Sequence, residues 1–280
     1  MKIGLVLEGG AMRGMYTSGV LDTFLENDIE VDKIIGVSAG VLFGVNYLSK
    51  QKGRAIRYNK RFIKDKRYMG MYSLLKTGDI VGKDFTFYEI PYKLDVFDDE
   101  TFKNSKTEFY AAVTNVETGE AEYLKIDSVL EQMEILRATS AMPYVSNFVE
   151  LNGKNYLDGA IADSIPVEKC KAMGCDKIIV VLTRTIDYRK SDTESKFASM
   201  KYGDYPNLVK AIEQRHEMYN NTVEKIIDLE NKKEIFVIRP TKDLHIKRIE
   251  KDIDKLQAMY DLGVSDTNDK LKELKEYLAD

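Results

Sequence analysis

Hydrophobic positions along the chain fall into short runs and helical spacings that alternate as in an α/β protein. Residues 2–7 are mostly apolar, which is typical of a strand buried on both faces of a parallel sheet. After a glycine-rich loop, apolar residues at helical spacing predict a helix over 17–27, and a second strand follows at 33–37. With the usual right-handed crossover, the two strands end at the same edge of the sheet.

The alternation of strands and helices continues to the end of the chain. Further strands are predicted at 107–114, 121–125, 148–151, 155–157, 177–183 and 234–239. Further helices are predicted at 41–50, 128–137, 166–173, 208–229, 246–260 and 264–278. We therefore expect a three-layer α/β/α sandwich with a mostly parallel central sheet. We expect the chain to divide into a catalytic domain over 1–190 and a mostly helical C-terminal region over 191–280 that packs on it. A polar loop or linker is predicted at 184–205.

The composition narrows the class of protein. With 44% hydrophobic and 31% charged residues, the chain resembles a soluble globular protein. It has no run of about 18 uncharged apolar residues, and its first apolar run reaches Glu8 too early for a signal peptide. Cys170 and Cys175 have no further Cys or His nearby, so we expect buried reduced thiols. A cytoplasmic protein is expected, and the net charge of −4 argues against general nucleic-acid binding.

Positive charge is concentrated in Lys50 to Arg67, where nine Lys and Arg residues accompany a single acid, Asp65. One interpretation is a solvated helix face whose charges pair with acids elsewhere in the chain. The other is peripheral contact with an anionic membrane surface. The adjoining residues 52–102 mix aromatic and charged residues, as in the wall of a substrate cleft or in ordinary helix packing.

A candidate nucleophile follows the second strand, in Gly36-Val37-Ser38-Ala39-Gly40. A serine at a tight strand-to-helix turn adopts a strained backbone conformation, and small residues two positions away let the flanking chains approach. The helix that follows points its positive N-terminus toward a developing oxyanion. Ser38 is therefore predicted to lie on a nucleophile elbow; the alternative is a turn that contains serine by chance.

The glycine-rich loop after the first strand exposes backbone N–H groups. Such a loop suits either a nucleotide phosphate or an oxyanion facing Ser38. The position of a dinucleotide motif's middle glycine holds Ala11, and the second strand ends in a nucleophile turn rather than an acid. The oxyanion interpretation is therefore favoured.

A serine hydroxyl needs a neighbouring base to take its proton. Asp158 follows a predicted hairpin and precedes two small residues, so another group can approach it closely. The chain has two histidines, His216 and His245, and neither is flanked by glycines. Surface or packing roles are favoured for both, although the order Ser38, Asp158, His leaves a catalytic triad open.

Three segments together resemble the signatures of the patatin-like phospholipase family: Gly9-Gly10-Ala11-Met12-Arg13-Gly14, Gly36-Val37-Ser38-Ala39-Gly40 and Asp158-Gly159-Ala160. The resemblance covers residues 3 to 170 and implies the fold of that family. It implies a dyad in which Ser38 is the nucleophile and Asp158 the base, without a metal or other cofactor. The implied oxyanion donors are Gly9, Gly10, Ala11 and Met12. The implied supporting residues are Arg13, Gly14, Gly36, Gly40, Gly159 and Ala160.

The resemblance implies a serine acyl hydrolase that cleaves acyl esters of phospholipids or lysophospholipids through an acyl-enzyme. A transacylase or thioesterase uses the same dyad, and a catalytically silent lipid-binding protein keeps the same fold. The expected partner is a lipid or other acyl ester, and the oligomeric state is not predicted.

Overall fold

A single eight-stranded sheet organises the part of the chain that the computed structural model describes, residues 1–193 and 195–279. Its strands are β1 (Ile3–Leu7), β2 (Lys33–Val37), β3 (Glu108–Asn115), β4 (Ala121–Ile126), β5 (Val149–Leu151), β6 (Lys154–Asp158), β7 (Lys177–Val181) and β8 (Phe236–Ile238). The spatial order is β5-β6-β3-β2-β1-β7-β8, and β4 pairs with β3. The neighbours from β3 through β2, β1 and β7 to β8 are parallel, whereas β4, β5 and β6 join by antiparallel pairing.

Helices connect these strands. They are α1 (Met15–Glu26), α2 (Ala39–Leu48), α3 (Arg54–Phe62), α4 (Met71–Thr77), α5 (Asp99–Lys103), α6 (Met133–Ser140), α7 (Val167–Ala172), α8 (Ala198–Tyr202), α9 (Pro206–Asn231) and α10 (Ile253–Ala279). A π-helix spans Lys83–Leu94, and short 3-10 helices span Ala11–Gly14, Gly159–Ile161 and Ser195–Phe197. Within residues 1–193 and 195–279, no helix is long and apolar enough to cross a bilayer.

Alternating strand residues build a core on each face of the sheet. Leu5 and Ile34 belong to the larger cluster, with apolar residues of α1, α2 and α10. Val6 and Ile35 belong to a second cluster, with residues of α7 and α9. Because successive strand residues point to opposite faces, the helices form a layer on each side. The prediction of an α/β/α sandwich with a mostly parallel sheet is confirmed.

The C-terminal elements pack on the same sheet, because β8 pairs with β7 in parallel register. The polar segment 184–205, predicted as a linker, contains α8. The division of the chain at residue 190 stays a prediction. Cys170 and Cys175 are buried and free of disulfides, as expected from the sequence.

One helix prediction is wrong: 246–260 and 264–278 are not separate helices, since α10 runs unbroken from Ile253 to Ala279. The gap between the two predicted helices, 261–263, contains Gly263, and glycine ordinarily weakens a helix. A Cβ at Gly263 would lie 2.2 Å from the Tyr16 carbonyl of α1, and a Cβ at Gly19 would lie 2.2 Å from the Tyr260 carbonyl. The glycines therefore permit a close crossing of α1 and α10.

Candidate active site

Ser38 occupies a strained turn between β2 and α2. Its backbone has φ 52° and ψ −119°, a conformation that L-residues seldom adopt. Ser38 is 7% exposed and lines a pocket at the carboxyl end of β1 and β2. The turn is strained, as a nucleophile elbow requires, and the nucleophilic role of Ser38 stays a prediction.

The small residues beside Ser38 are needed for close packing. A Cβ at Gly40 would lie 2.4 Å from the Leu7 carbonyl, and one at Gly36 would lie 2.9 Å from the Val41 amide nitrogen. These distances are far below van der Waals contact, so both positions exclude a side chain. The elbow therefore fits against the end of β1.

Asp158 reaches Ser38 through the register of the sheet. Strand β2 pairs with β3 as far as Val37, opposite Ala112. Strand β6 then takes over the same edge of β3, with Asp158 opposite Val113. Because β4 covers the other edge of β3, Asp158 must lie just beyond the end of β2, where Ser38 begins its turn.

Asp158 is buried, with 4% of the residue exposed. Burial raises its pKa above the ordinary value, against hydrogen bonds from the Ala160 amide and the Ser38 side chain, which stabilise the ionised form. The Ala160 bond measures 2.9 Å. A Cβ at Gly159 would lie 2.2 Å from the Ala112 carbonyl, so this turn also requires a residue without a side chain. A buried carboxylate with a raised pKa is a stronger proton acceptor than an exposed one.

The small-residue stretch at 138–143 holds both candidate residues in place. The Ser38 amide donates to the Thr139 hydroxyl at 2.9 Å, and that hydroxyl donates to the Ala112 carbonyl at 2.6 Å. The Asp158 amide donates to the Ala141 carbonyl at 2.8 Å. This stretch therefore fixes the backbone of both residues.

The loop after β1 lies directly against the elbow. A Cβ at Gly9 would lie 3.1 Å from the Ser38 Cβ, and one at Gly10 would lie 2.6 Å from the Thr183 hydroxyl. Ala11 has φ 49°, a left-handed conformation in which glycine is ordinarily favoured. Gly9, Gly10 and Ala11 all line the pocket beside Ser38.

Of the next three residues of the loop, Met12 and Gly14 face other parts of the chain, whereas Arg13 reaches the pocket. The Met12 amide donates to the Arg248 carbonyl at 3.4 Å, so it is engaged rather than presented to the pocket. A Cβ at Gly14 would lie 2.8 Å from the Phe43 ring, which explains the absence of a side chain. Arg13 lines the pocket, and within the described residues no acceptor meets its buried Nε.

Comparison with known proteins agrees with this geometry. A family model described as patatin-like phospholipase matches residues 5–170, more than half of the chain. The chain belongs to the patatin-like phospholipase family. It is a lipid acyl hydrolase. A model described as a domain of unknown function, DUF6363, matches residues 205–279.

Relatives of this patatin-like protein differ greatly in length. The uncharacterized protein YjjU of Escherichia coli (strain K12) is 28% identical over 272 residues, which cover 94% of this chain and 75% of YjjU. Lysophospholipase NTE1 of Candida glabrata is 29% identical over 210 residues, or 73% of this chain and 11% of NTE1. Among solved structures, VipD from Legionella pneumophila matches with a TM-score of 0.39 and 15% identity, covering 93% of this chain and 67% of VipD.

The histidines of the patatin-like protein lie outside the described lining of the Ser38 pocket. His216 contacts the Glu213 carbonyl of its own helix through Nδ1, at 3.0 Å. His245 is 86% exposed by side chain, with Nδ1 3.5 Å from Asp243. The structure therefore does not bring either histidine together with Ser38 and Asp158.

Glu8 is a pocket residue that the sequence interpretation passed over. It is 3% exposed, and it accepts bonds from the Thr183 amide at 2.6 Å and the Tyr219 hydroxyl at 2.8 Å. Burial and the neighbouring Glu8 carboxylate raise the pKa of Tyr219, which keeps its hydroxyl protonated as a donor. Glu8 thereby connects the end of β1 to α9 through hydrogen bonds. In the sequence, its only signal is a carboxylate directly after a buried strand.

The basic stretch of the patatin-like protein does not form one exposed face. Arg54 is 4% exposed and bonds to Asn46, and both Arg54 and Arg57 pair with Asp95. Other members contact protein groups as well: Lys52 with Glu26, Lys60 with Gln257, Arg61 with the Leu94 carbonyl and Arg67 with Asp65. Pairing with acids elsewhere, which the first interpretation expected, holds for Lys52, Arg54 and Arg57, but the single solvated face of that interpretation does not form.

The insertion at 52–102 does not wall the pocket, because none of its residues belongs to the described lining. Six of its aromatic side chains are buried in the core instead: Tyr58, Phe62, Tyr68, Phe85, Phe87 and Phe97. Ordinary packing accounts for these six, whereas Tyr72 and Tyr92 are exposed.

Proposed function

We propose that the protein hydrolyses acyl esters of phospholipids or lysophospholipids by a Ser38–Asp158 dyad. The observation that carries the proposal is the register of β2 and β6 on β3, which places a buried carboxylate beside a serine on a strained elbow. NTE1, named a lysophospholipase, supports this class of substrate.

In the proposed reaction, the Ser38 oxygen attacks the ester carbonyl while Asp158 takes the hydroxyl proton. The tetrahedral intermediate then collapses, and the alcohol leaves with the proton from Asp158. Water attacks the acyl-enzyme, again losing its proton to Asp158, and the fatty acid departs as Ser38 regains its hydroxyl. Each step needs one base that switches to an acid, so no histidine is required.

The proposed oxyanion donors are amides of the glycine loop, Gly9, Gly10 and Ala11, with Gly10 and Ala11 as the principal pair. The contact of this loop with Ser38 supports the assignment. Met12 is not proposed as an oxyanion donor, because its amide donates to the Arg248 carbonyl. Backbone amides held in a rigid loop stabilise a developing oxyanion without reorganisation.

A fluorophosphonate probe tests the nucleophile directly. We expect a single covalent adduct by intact-mass spectrometry, located at Ser38 by peptide mapping, together with release of fatty acid from lysophospholipid. An adduct on another residue would refute the dyad. Absence of both labelling and fatty acid release would instead favour the catalytically silent lipid-binding protein.

We also propose that the protein contacts an anionic membrane surface beside α4. Lys64 and Lys66 are exposed. On α4, which follows them closely, Met71, Tyr72 and Leu75 are 63%, 50% and 81% exposed. Exposed apolar side chains next to lysines suit the headgroup region of a bilayer.

Vesicle sedimentation tests this surface. Lys64→Glu/Lys66→Glu is expected to weaken binding to phosphatidylglycerol vesicles by at least about 30-fold, because each lysine near an anionic surface contributes about 1 kcal/mol and the glutamates add repulsion. Lys272→Glu/Lys275→Glu, the same charge change at exposed positions of α10, serves as the control. Equal weakening in both variants would assign the effect to net charge and reject the α4 surface.

A further inference from the structure

A short helical segment presents apolar side chains to solvent. It joins the 3-10 helix Ser195–Phe197 to α8. Ala198 and Tyr202, four residues apart, are buried against the protein. Phe197 and Met200, three residues apart, are 55% and 79% exposed. The outer face of this segment, defined by Phe197 and Met200, is therefore apolar and open to solvent.

The segment follows closely on one wall of the pocket that holds Ser38. Arg184, Tyr188 and Lys190 line this pocket. Ile186 belongs to the same stretch and is 46% exposed. An exposed apolar side chain thus lies between residues of the pocket lining, and the outer face lies a few residues further along the chain.

The loop after α6 connects the pocket to α8 in space. Met142 and Pro143 line the pocket. The amide of the next residue, Tyr144, donates to the Tyr202 hydroxyl at 2.6 Å, and the centroids of the two rings are 5.5 Å apart. The Phe148 ring stacks on the Tyr202 ring, with centroids 5.8 Å apart. Helix α8 is therefore packed beside the pocket rim.

The same loop also contacts the end of α4. The Asn147 amide donates to the Asp79 carboxylate at 2.8 Å, and its side chain donates to the Thr77 carbonyl at 3.0 Å. The Ile80 amide donates to the Val145 carbonyl at 2.8 Å. The exposed apolar residues of α4 and the outer face are therefore both anchored to one loop of the pocket rim.

The charges around the outer face do not favour an anionic surface. Residues 192–204 hold two lysines and three acids, a net charge of −1: Lys196, Lys201, Asp192, Glu194 and Asp204. Attraction to anionic headgroups therefore contributes little, in contrast to the lysines beside α4. The driving force is the transfer of apolar side chains out of water, which operates on a zwitterionic bilayer as well.

The class of substrate indicates what covers this face. The protein is a lipid acyl hydrolase. Lipids with long acyl chains assemble in water into bilayers and micelles, because assembly removes their apolar surface from water. Apolar and aromatic side chains reach the boundary between headgroups and acyl chains in such assemblies. A pocket rim that carries Phe197 and Met200 therefore suits the surface of a lipid assembly.

We propose that the outer face, together with Ile186, inserts into the surface of lipid assemblies and holds the Ser38 pocket against them. This inference rests on the proposed function and deepens it, since it makes assembled lipid the preferred form of the substrate. It adds an apolar contact to the charge-dependent one beside α4. Insertion raises turnover of assembled lipid and leaves turnover of dispersed lipid unchanged.

Lysophosphatidylcholine tests this preference, because the same molecule can be supplied below and above its critical micelle concentration. The wild type is expected to release fatty acid at least about fivefold faster from micelles than from monomers. Phe197→Ser/Met200→Ser is expected to lose at least about fivefold in rate on micelles and less than about twofold on monomers. Equal losses on both forms, or a wild type without preference for micelles, would overturn the proposal.

Val96→Ser is the matched control. Val96 is 59% exposed and lies outside both the described pocket lining and the outer face. The control is expected to keep the wild-type rate on monomers and on micelles. A loss on micelles equal to that of the double variant would assign the effect to overall surface hydrophobicity and reject the proposal.

Sedimentation of the Ser38→Ala protein with phosphatidylcholine vesicles separates the surface from the chemistry. Adding Phe197→Ser/Met200→Ser is expected to weaken binding at least about tenfold. Adding Lys64→Glu/Lys66→Glu instead should change binding less than about twofold, because these vesicles carry no net charge. If this pattern holds but the wild type hydrolyses no lipid, the proposed function is wrong and the contact surface is right. If loss of the outer face leaves binding unchanged, the surface is wrong whatever the enzyme hydrolyses.

Analytical ultracentrifugation distinguishes a lipid surface from a second copy of the chain. The wild type and Phe197→Ser/Met200→Ser are expected to have the same mass in solution without lipid. A dimer that dissociates in the double variant would mean that the outer face binds a second copy, and would overturn the proposal.

Discussion

Replacing Ser38 with alanine is expected to lower lipid ester hydrolysis by at least about 10⁴-fold, because removal of a nucleophile eliminates the acyl-enzyme route. The fold should persist, because alanine is smaller than serine and experiences the same backbone strain at the φ of 52°. The measurement is kcat/KM for fatty acid release, with circular dichroism and thermal unfolding as checks on the fold.

Ser18→Ala provides the comparison for this variant. Ser18 is a buried serine of α1, 3% exposed, and it does not belong to the described pocket lining. Its replacement is expected to change turnover by less than about threefold. Retention of more than a hundredth of the activity in Ser38→Ala would mean that another group attacks the ester.

Replacing Asp158 with asparagine is expected to lower kcat by about 10³- to 10⁴-fold, because the amide has the size of the carboxylate but cannot accept the serine proton. Labelling by the fluorophosphonate should slow in parallel. The measurement is the labelling rate beside kcat, since both depend on activation of the Ser38 hydroxyl.

Two comparisons separate the base from other roles. Asp163→Asn alters a second carboxyl whose pKa is also raised by burial and whose Oδ2 accepts from Tyr123, outside the described pocket lining. It should keep near-normal kcat. His216→Gln/His245→Gln should do likewise, and loss of activity in the histidine variant would restore the triad.

The dependence of activity on pH also tests whether Asp158 is the base. The base must be ionised, and burial raises the pKa of Asp158, so activity falls as pH decreases through that raised value. The acidic limb of kcat/KM should therefore lie above the range of an ordinary aspartate. Asp158→Asn should show no limb from this group in its residual activity.

Local signals account for what could be predicted from the sequence. The elbow at Ser38 and the turn at Asp158 each follow a strand whose pattern is plain, and small residues mark the close approaches at Gly40 and Gly159. The right-handed crossover rule then predicts that β1 and β2 end at the same edge of the sheet. The spatial meeting of β2 and β6 on β3 needed the structure.

Contacts between distant parts of the chain could not be predicted. The bond from Tyr219 to Glu8 joins residues 211 positions apart, and no local periodicity reports such a pair. The unbroken α10 could not be predicted either, because the tertiary contact of Gly263 with Tyr16 outweighs the local cost of glycine in a helix.

The pairing of β2 and then β6 with the same edge of β3 also determines which insertions and deletions this enzyme tolerates. The separation of Ser38 from Asp158 is set by strand pairing, with Val37 opposite Ala112 and Asp158 opposite Val113. It does not depend on the length of chain that joins the two residues. Surface loops in 39–157 can therefore lengthen or shorten at small energetic cost without moving the two residues apart. Evolution is free to rebuild the periphery of such an enzyme while its reactive pair keeps one spacing.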